Sequence, residues 1–187
     1  MKKIMCAVAM GLLSFSVSAQ NWLVSGSISY THWSWGNPYT SESDNQFGLS
    51  LSGGRYLTEK WAVGLRGTVN FLFGDGNQLA AGPWVTWEFV QIDKIVFALT
   101  GRILYTRYND SYSWNAAYDA EDANRISFTI LPSVIYRVSE NLDLYLQFFE
   151  AGYFYDWLTL SDIKCHQDRF FINGPLGNPS FGIRVRF

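Results

Sequence analysis

Apolar residues recur at every second position along most of this 187-residue chain. A repeat of two belongs to strands with one face in an apolar medium, whereas a helix repeats at about 3.6. In the first such segment Trp22, Val24, Gly26, Ile28 and Tyr30 alternate with Leu23, Ser25, Ser27 and Ser29. Phe47 to Gly53 follows, and then Trp61 to Phe73, Pro83 to Phe89 and Ile95 to Tyr105. Ile126 to Tyr136, Leu142 to Phe148 and Phe181 to Phe187 complete eight predicted strands. The forty positions on the apolar faces carry no charge. The opposite faces carry Ser, Thr, Gln, Asn and Gly, with six charges: Arg66, Glu88, Arg102, Asp143, Arg184 and Arg186.

The connections alternate in length. Thr58 to Lys60, Gln91 to Lys94 and Ser139 to Asn141 are short. Ser34 to Asp44, Gly74 to Leu79, Thr106 to Arg125 and Glu150 to Asn178 are expected as longer loops. Short turns on one side and long loops on the other are the pattern of an outer-membrane barrel, with both termini periplasmic. The expected fold is therefore all-β: an eight-stranded antiparallel up-and-down transmembrane β-barrel. Eight strands leave a lumen that side chains can fill.

Composition sharpens this. Hydrophobic residues make up 48% of the chain, aromatics 18% and charged residues only 16%, against about 25% charged in an average soluble domain. Mean hydropathy is near zero at −0.02, as expected when an apolar and a polar face are averaged. A net charge of −2 gives no basic footprint for nucleic acid. A secreted β-sandwich also alternates, but its outer faces need more charge for solubility. Aromatics at strand ends suit a membrane interface instead.

The N-terminus has a separate reading. Lys2 and Lys3 precede an apolar run from Ile4 to Phe15, and Val17-Ser18-Ala19 offers a small-residue cleavage site. Residues 1–19 are expected to be a secretory signal peptide, and 20–187 the barrel domain. The apolar run is too short to span roughly 30 Å of hydrocarbon. Without Lys2 and Lys3 the remaining chain has 12 basic and 16 acidic residues, a charge of −4. Cys6 leaves with the signal and Cys165 is then alone, so no intramolecular disulfide is expected.

Several segments resemble known sequences. Phe181-Gly182-Ile183-Arg184-Val185-Arg186-Phe187 resembles the C-terminal assembly signal of bacterial outer-membrane β-barrel proteins, carried by Phe181, Ile183, Val185 and Phe187. Tyr56 to Gly64 is similar to the first periplasmic turn of the small outer-membrane β-barrel domain family. Gly82-Pro83-Trp84-Val85 and Pro132-Ser133-Val134-Ile135-Tyr136 resemble that family's strand openings. The resemblance implies the outer membrane of a diderm bacterium, with lipids and lipopolysaccharide as surroundings. It also implies the barrel-assembly machinery as a partner during biogenesis.

Candidate chemistry is sparse. The six lumen charges are expected to form a cross-barrel ion-pair network, because a packed lumen must satisfy its charges internally. Basic residues outnumber acids there by 4 to 2, so an open path would favour anions. His32-Trp33-Ser34, with Glu42 or Asp44, superficially resembles the His and Ser of lipid A deacylases. Those enzymes carry theirs on a later strand, and a non-enzymatic chain is the reading adopted. Cys165-His166 with Asp162 and Asp168 falls short of the three or four spaced ligands of a zinc site, and no cofactor is expected. Trp33, Trp35, Tyr39, Tyr108, Tyr112, Trp114, Tyr118, Phe154, Tyr155 and Trp157 lie in or beside the long connections. Of these, Trp33, Trp35, Tyr112, Trp114, Tyr118 and Trp157 are candidates for recognising a surface protein or glycan. The same rings would also suit an outer aromatic girdle. Asp119, Glu121 and Asp122 would bind divalent cations or keep the third loop solvated.

Overall fold

The structure, a computed structural model, describes residues 21–37, 40–72, 77–109, 112–115, 118–120, 122–160, 163–173 and 179–187. The signal peptide expected at residues 1–19, together with Tyr39, Glu121 and Asp162, lies outside the described residues.

The strands are β1 (Trp22–Asn37), β2 (Thr40–Tyr56), β3 (Trp61–Leu72), β4 (Asn77–Ile92) and β5 (Ile95–Asn109). A short hairpin follows, of β6 (Tyr112–Asn115) and β7 (Tyr118–Ala120). Then come β8 (Asp122–Arg137), β9 (Leu142–Gln147), β10 (Glu150–Leu160), β11 (Ile163–Asn173) and β12 (Ser180–Arg186). All neighbouring pairings are antiparallel, and β12 closes the sheet on β1 from Leu23↔Arg186 to Ser29↔Ser180. β9 with β10 makes one stave and β11 with β12 another. The result is a closed barrel of eight staves. Closure leaves no sheet edge, which is what lets strands lie in hydrocarbon with their backbone groups paired.

The barrel is inverted relative to a water-soluble protein. Its buried positions are largely hydroxyl, amide and charged side chains, among them Ser25, Ser52, Thr86, Thr100 and Asp143. Its outer surface is apolar: Leu51 is 67% exposed, Ile172 70% and Phe170 76%. At the short-turn end the outward Trp61 stacks on Trp87 with ring centroids 5.7 Å apart.

The short turns are built alike. In Leu57–Lys60 the Thr58 hydroxyl accepts from the backbone N–H of Lys60 and of Trp61. In Val138–Asn141 the Ser139 hydroxyl accepts from the N–H of Asn141. The turn between β4 and β5 holds Asp93 at φ 51°, which Asp tolerates better than most residues. Both barrel termini lie at this end, where the Phe187 N–H donates to the Trp22 carbonyl at 2.9 Å.

Three expectations need correction. The first and third connections are mostly strand: β1 and β2 stay paired from Trp22↔Arg55 up to Asn37↔Thr40, and within the expected loop Thr106 to Arg125, β5 and β8 stay paired to Tyr108↔Ala123, with β6 and β7 beyond. Residues 150–178, expected as a loop, largely form β10 and β11, paired from Glu150↔Asn173 to Leu160↔Ile163. Third, the alternation does not run unbroken. From Ser133↔Gln147 to Ile130↔Ala151, three steps on β8 face four on the β9–β10 stave. The extra residue, at Phe148-Phe149, is a bulge, and bulges shift which side chains face inward. A second bulge between Glu88 and Val90 leaves both Phe89 and Val90 exposed.

Candidate functional site

The lumen begins as a ladder of hydroxyls. Alternation points Ser and Thr inward, and strand pairing brings them together: Ser25 with Ser52 at 2.5 Å, Ser50 with Thr68 at 2.9 Å, Thr86 with Thr100 at 2.8 Å. Gly54 and Gly64 pair across β2 and β3 and make room for the Trp84 indole. A Cβ at either glycine would stand 2.7 Å from Trp84 Cζ2.

Charges are layered along the axis. Nearest the turns, Glu88 Oε1 accepts from Arg184 Nη2 at 2.9 Å and from the Tyr56 hydroxyl at 2.6 Å. Its Oε2 accepts from Arg137 Nη2 at 2.7 Å. Asp143, fully buried at 0% exposure, accepts from Arg184 Nε at 2.8 Å and Arg186 Nη2 at 3.1 Å. Three guanidiniums and two carboxylates thus form one connected cluster.

Mid-lumen, Arg102 Nη2 meets Glu150 Oε1 at 2.5 Å, and its Nε donates to Thr129 at 2.7 Å. Arg66 donates to Ser27 at 3.0 Å and to Thr68 at 3.4 Å. It takes part in no ion pair among the described residues. Toward the loops, Arg125 makes a two-pronged contact with Asp156 at 2.6 and 2.9 Å, a geometry that strengthens an Arg–carboxylate pair. The Arg125 guanidinium also lies 3.9 Å from the Phe154 ring centroid.

Of the six expected charges, the structure joins Glu88, Asp143, Arg184 and Arg186 directly. Arg102 lies apart with Glu150, and Arg66 stands among hydroxyls. Arg137, Glu150, Arg125, Asp156 and Tyr56 were missed. Extending the alternation of Ser133 and Ile135 by one step reaches Arg137, and extending Ser127 and Thr129 backwards reaches Arg125. Glu150 and Asp156 lie beyond the Phe148-Phe149 bulge, where simple alternation fails.

The turn-end cluster separates two spaces. On one side is a small cavity of about 50 Å³ lined in part by Arg66, Arg102 and Arg184. On the other is an open vestibule of about 790 Å³ at the turns, reached by Glu88, Arg137 and Arg186.

The other candidates fall on strands rather than loops. Trp33 and Trp35 lie on β1, Tyr112 and Trp114 on β6, and Tyr118 on β7. Trp157, on β10, has its ring 6.1 Å from Tyr105 and 6.0 Å from Tyr155, an outward aromatic cluster. His32 faces Asn45 in the ladder, whereas Asp44 faces Trp33 and Glu42 faces Trp35. Neither carboxylate occupies the register position opposite His32. Cys165 and His166 are consecutive on β11, facing Leu158 and Trp157 in turn. His166 stacks on Tyr155 at 5.7 Å.

No protein-family model and no curated protein sequence matches the chain. Among solved structures it is similar to the crystal structure of neisserial surface protein A, with 18% identity and a TM-score of 0.56 over 89% of this chain and 97% of that one. It is also similar to the N-terminal β-barrel domain of OprF from Pseudomonas aeruginosa, with 10% identity and a TM-score of 0.53 over 91% of this chain and 100% of that domain. With its inverted surface and closed eight-stave sheet, the chain therefore has the fold of the small outer-membrane β-barrels.

Proposed function

We propose that this chain is a non-enzymatic outer-membrane barrel with a plugged lumen. It would be exported behind a cleaved signal peptide at residues 1–19 and would serve envelope structure, adhesion or partner binding at the cell surface. The observation that carries the plug is the Glu88–Arg184–Asp143 cluster standing between the cavity and the vestibule. Charges buried in this way are held by their partners, and removing one leaves an uncompensated charge. Lipid and lipopolysaccharide would surround the apolar belt, and the barrel-assembly machinery would engage Phe181, Ile183, Val185 and Phe187. Trp33, Trp35, Tyr112, Trp114, Tyr118 and Trp157 would extend the outer aromatic belt or contact a surface protein or glycan.

The test is electrical. Purified protein in a planar lipid bilayer should give no stable conductance steps, and reproducible steps would overturn the plug. The second reading is a narrow pore. The lumen's excess of arginine favours it, and its steps would be anion-selective.

A further inference from the structure

The mid-lumen cavity has an unbalanced wall. Arg66, Arg102 and Arg184 all reach it. Arg184 is matched by Glu88 and Asp143, and Arg102 by Glu150. Among the described residues Arg66 bonds only neutral oxygens, those of Ser27, Thr68 and the Tyr145 hydroxyl; the nearby Glu150 carboxylate also acts on it but is bonded to Arg102. Its positive charge is surrounded by a sheet that faces away from water, where an unmatched ion is costly. The neighbouring turn-end cluster cannot supply the missing charge, since it already holds three arginines against two carboxylates.

The same cavity has polar atoms with nothing to bond. Among the described residues the Trp84 indole N–H is buried and without a partner, and so is the side-chain oxygen of Gln147, a residue only 6% exposed. Both side chains line the cavity. The Gln147 oxygen and nitrogen are interchangeable by rotating the amide, so this group can present an N–H inward. Guanidiniums, an indole N–H, an amide and hydroxyls surround a space of about 50 Å³. At roughly 10–15 Å³ per water, that space admits a few waters or a dehydrated monatomic ion, and it excludes a larger organic acid.

We propose that this cavity is a binding site for a small monovalent inorganic anion of chloride type, held chiefly by Arg66. The anion offsets the Arg66 charge and hydrogen-bonds the donors that the protein leaves open. The proposal builds on the plugged-lumen reading. Its readout is separate, because conductance bears on the plug and not on whether the cavity is occupied.

The experiment uses bromide as the probe. The chain is refolded from urea into detergent micelles in sodium bromide, so that the ion enters while the barrel closes, and is then crystallised. An anomalous bromide peak within hydrogen-bonding distance of the Arg66 guanidinium is expected. Unfolding in urea should be slower in bromide or chloride than in equimolar gluconate, on the order of tenfold, since a ligand bound only to the folded state stabilises it. In Arg66→Gln the peak and the anion dependence should both vanish. Water density alone in the wild-type cavity, with equal unfolding rates in the two salts, would overturn the site. A peak that persists in Arg66→Gln would overturn its assignment to Arg66. The wild-type measurement decides the first point even if the variant does not fold.

Discussion

Arg184 and Glu88 lie 96 positions apart in the chain and meet in the lumen at 2.9 Å. The contact ties the last stave to β4 across the barrel interior. Arg184 also holds Asp143 at 2.7 Å, so one guanidinium compensates two buried carboxylates. Arg184→Met leaves Asp143 with Arg186 and Glu88 with Arg137 and Tyr56. Stranding a buried charge costs about 3–5 kcal/mol, but here each carboxylate keeps a guanidinium, so the expected cost is that of the lost charged hydrogen bonds, about 1–3 kcal/mol. Urea unfolding in lipid vesicles should show a loss of that order, and a loss below about 1 kcal/mol would assign the cluster no structural weight.

The Gly54–Gly64 pair predicts a steric effect. In Gly64→Val the added Cβ meets the Gly53 carbonyl oxygen as well as the Trp84 indole, the latter at 2.7 Å, so Trp84 carries part of the clash. Overpacking of this kind costs about 1–3 kcal/mol. Part of the loss should return in the double variant with Trp84→Ala, because neighbours that share a contact are not additive. A purely additive double-mutant cycle would show that the clash lies with the backbone alone.

The belt predicts a difference between faces. Leu51 stands 67% exposed on the outer face of β2, five residues from the turn end, so Leu51→Arg would place a charge in hydrocarbon. Near a bilayer midplane this costs about 2–4 kcal/mol, falling toward zero at the interfaces. Leu57→Arg, in the exposed turn, should therefore be nearly neutral. Equal effects at the two sites in vesicle refolding would contradict the membrane placement.

Phe187 predicts a separation between assembly and stability. Its ring is exposed, and its backbone N–H closes on Trp22. With Phe187 as part of the proposed assembly signal, Phe187→Ala should slow accumulation of folded barrel in cells. Spontaneous refolding of the purified variant into detergent should stay close to wild type. The heat-dependent gel shift of folded barrels reads both, and an equal defect in both settings would remove the recognition role.

The cores of eight strands, the inverted surface and the end at which the short turns lie were legible in the residues alone. Alternation is a local property: successive side chains point to opposite faces, so Trp22, Val24 and Ile28 announce a lipid face without reference to any other strand. Glu88, Asp143 and Arg184 were legible as inward for the same reason. Which charges meet was set by closure of the barrel. Partners across the lumen depend on how eight staves are staggered, and on bulges such as Phe148-Phe149 that displace everything beyond them. Glu150 and Asp156 were hidden by that bulge, and β10 and β11 were mistaken for loop because their inward face carries Glu150, Asp156 and Gln167 among aromatics. Arg66 was visible from the start as an inward cation. That no carboxylate among the described residues bonds it emerged only when closure of the barrel fixed its neighbours, because pairing in a lumen is set by distance across the barrel and not by position along the chain.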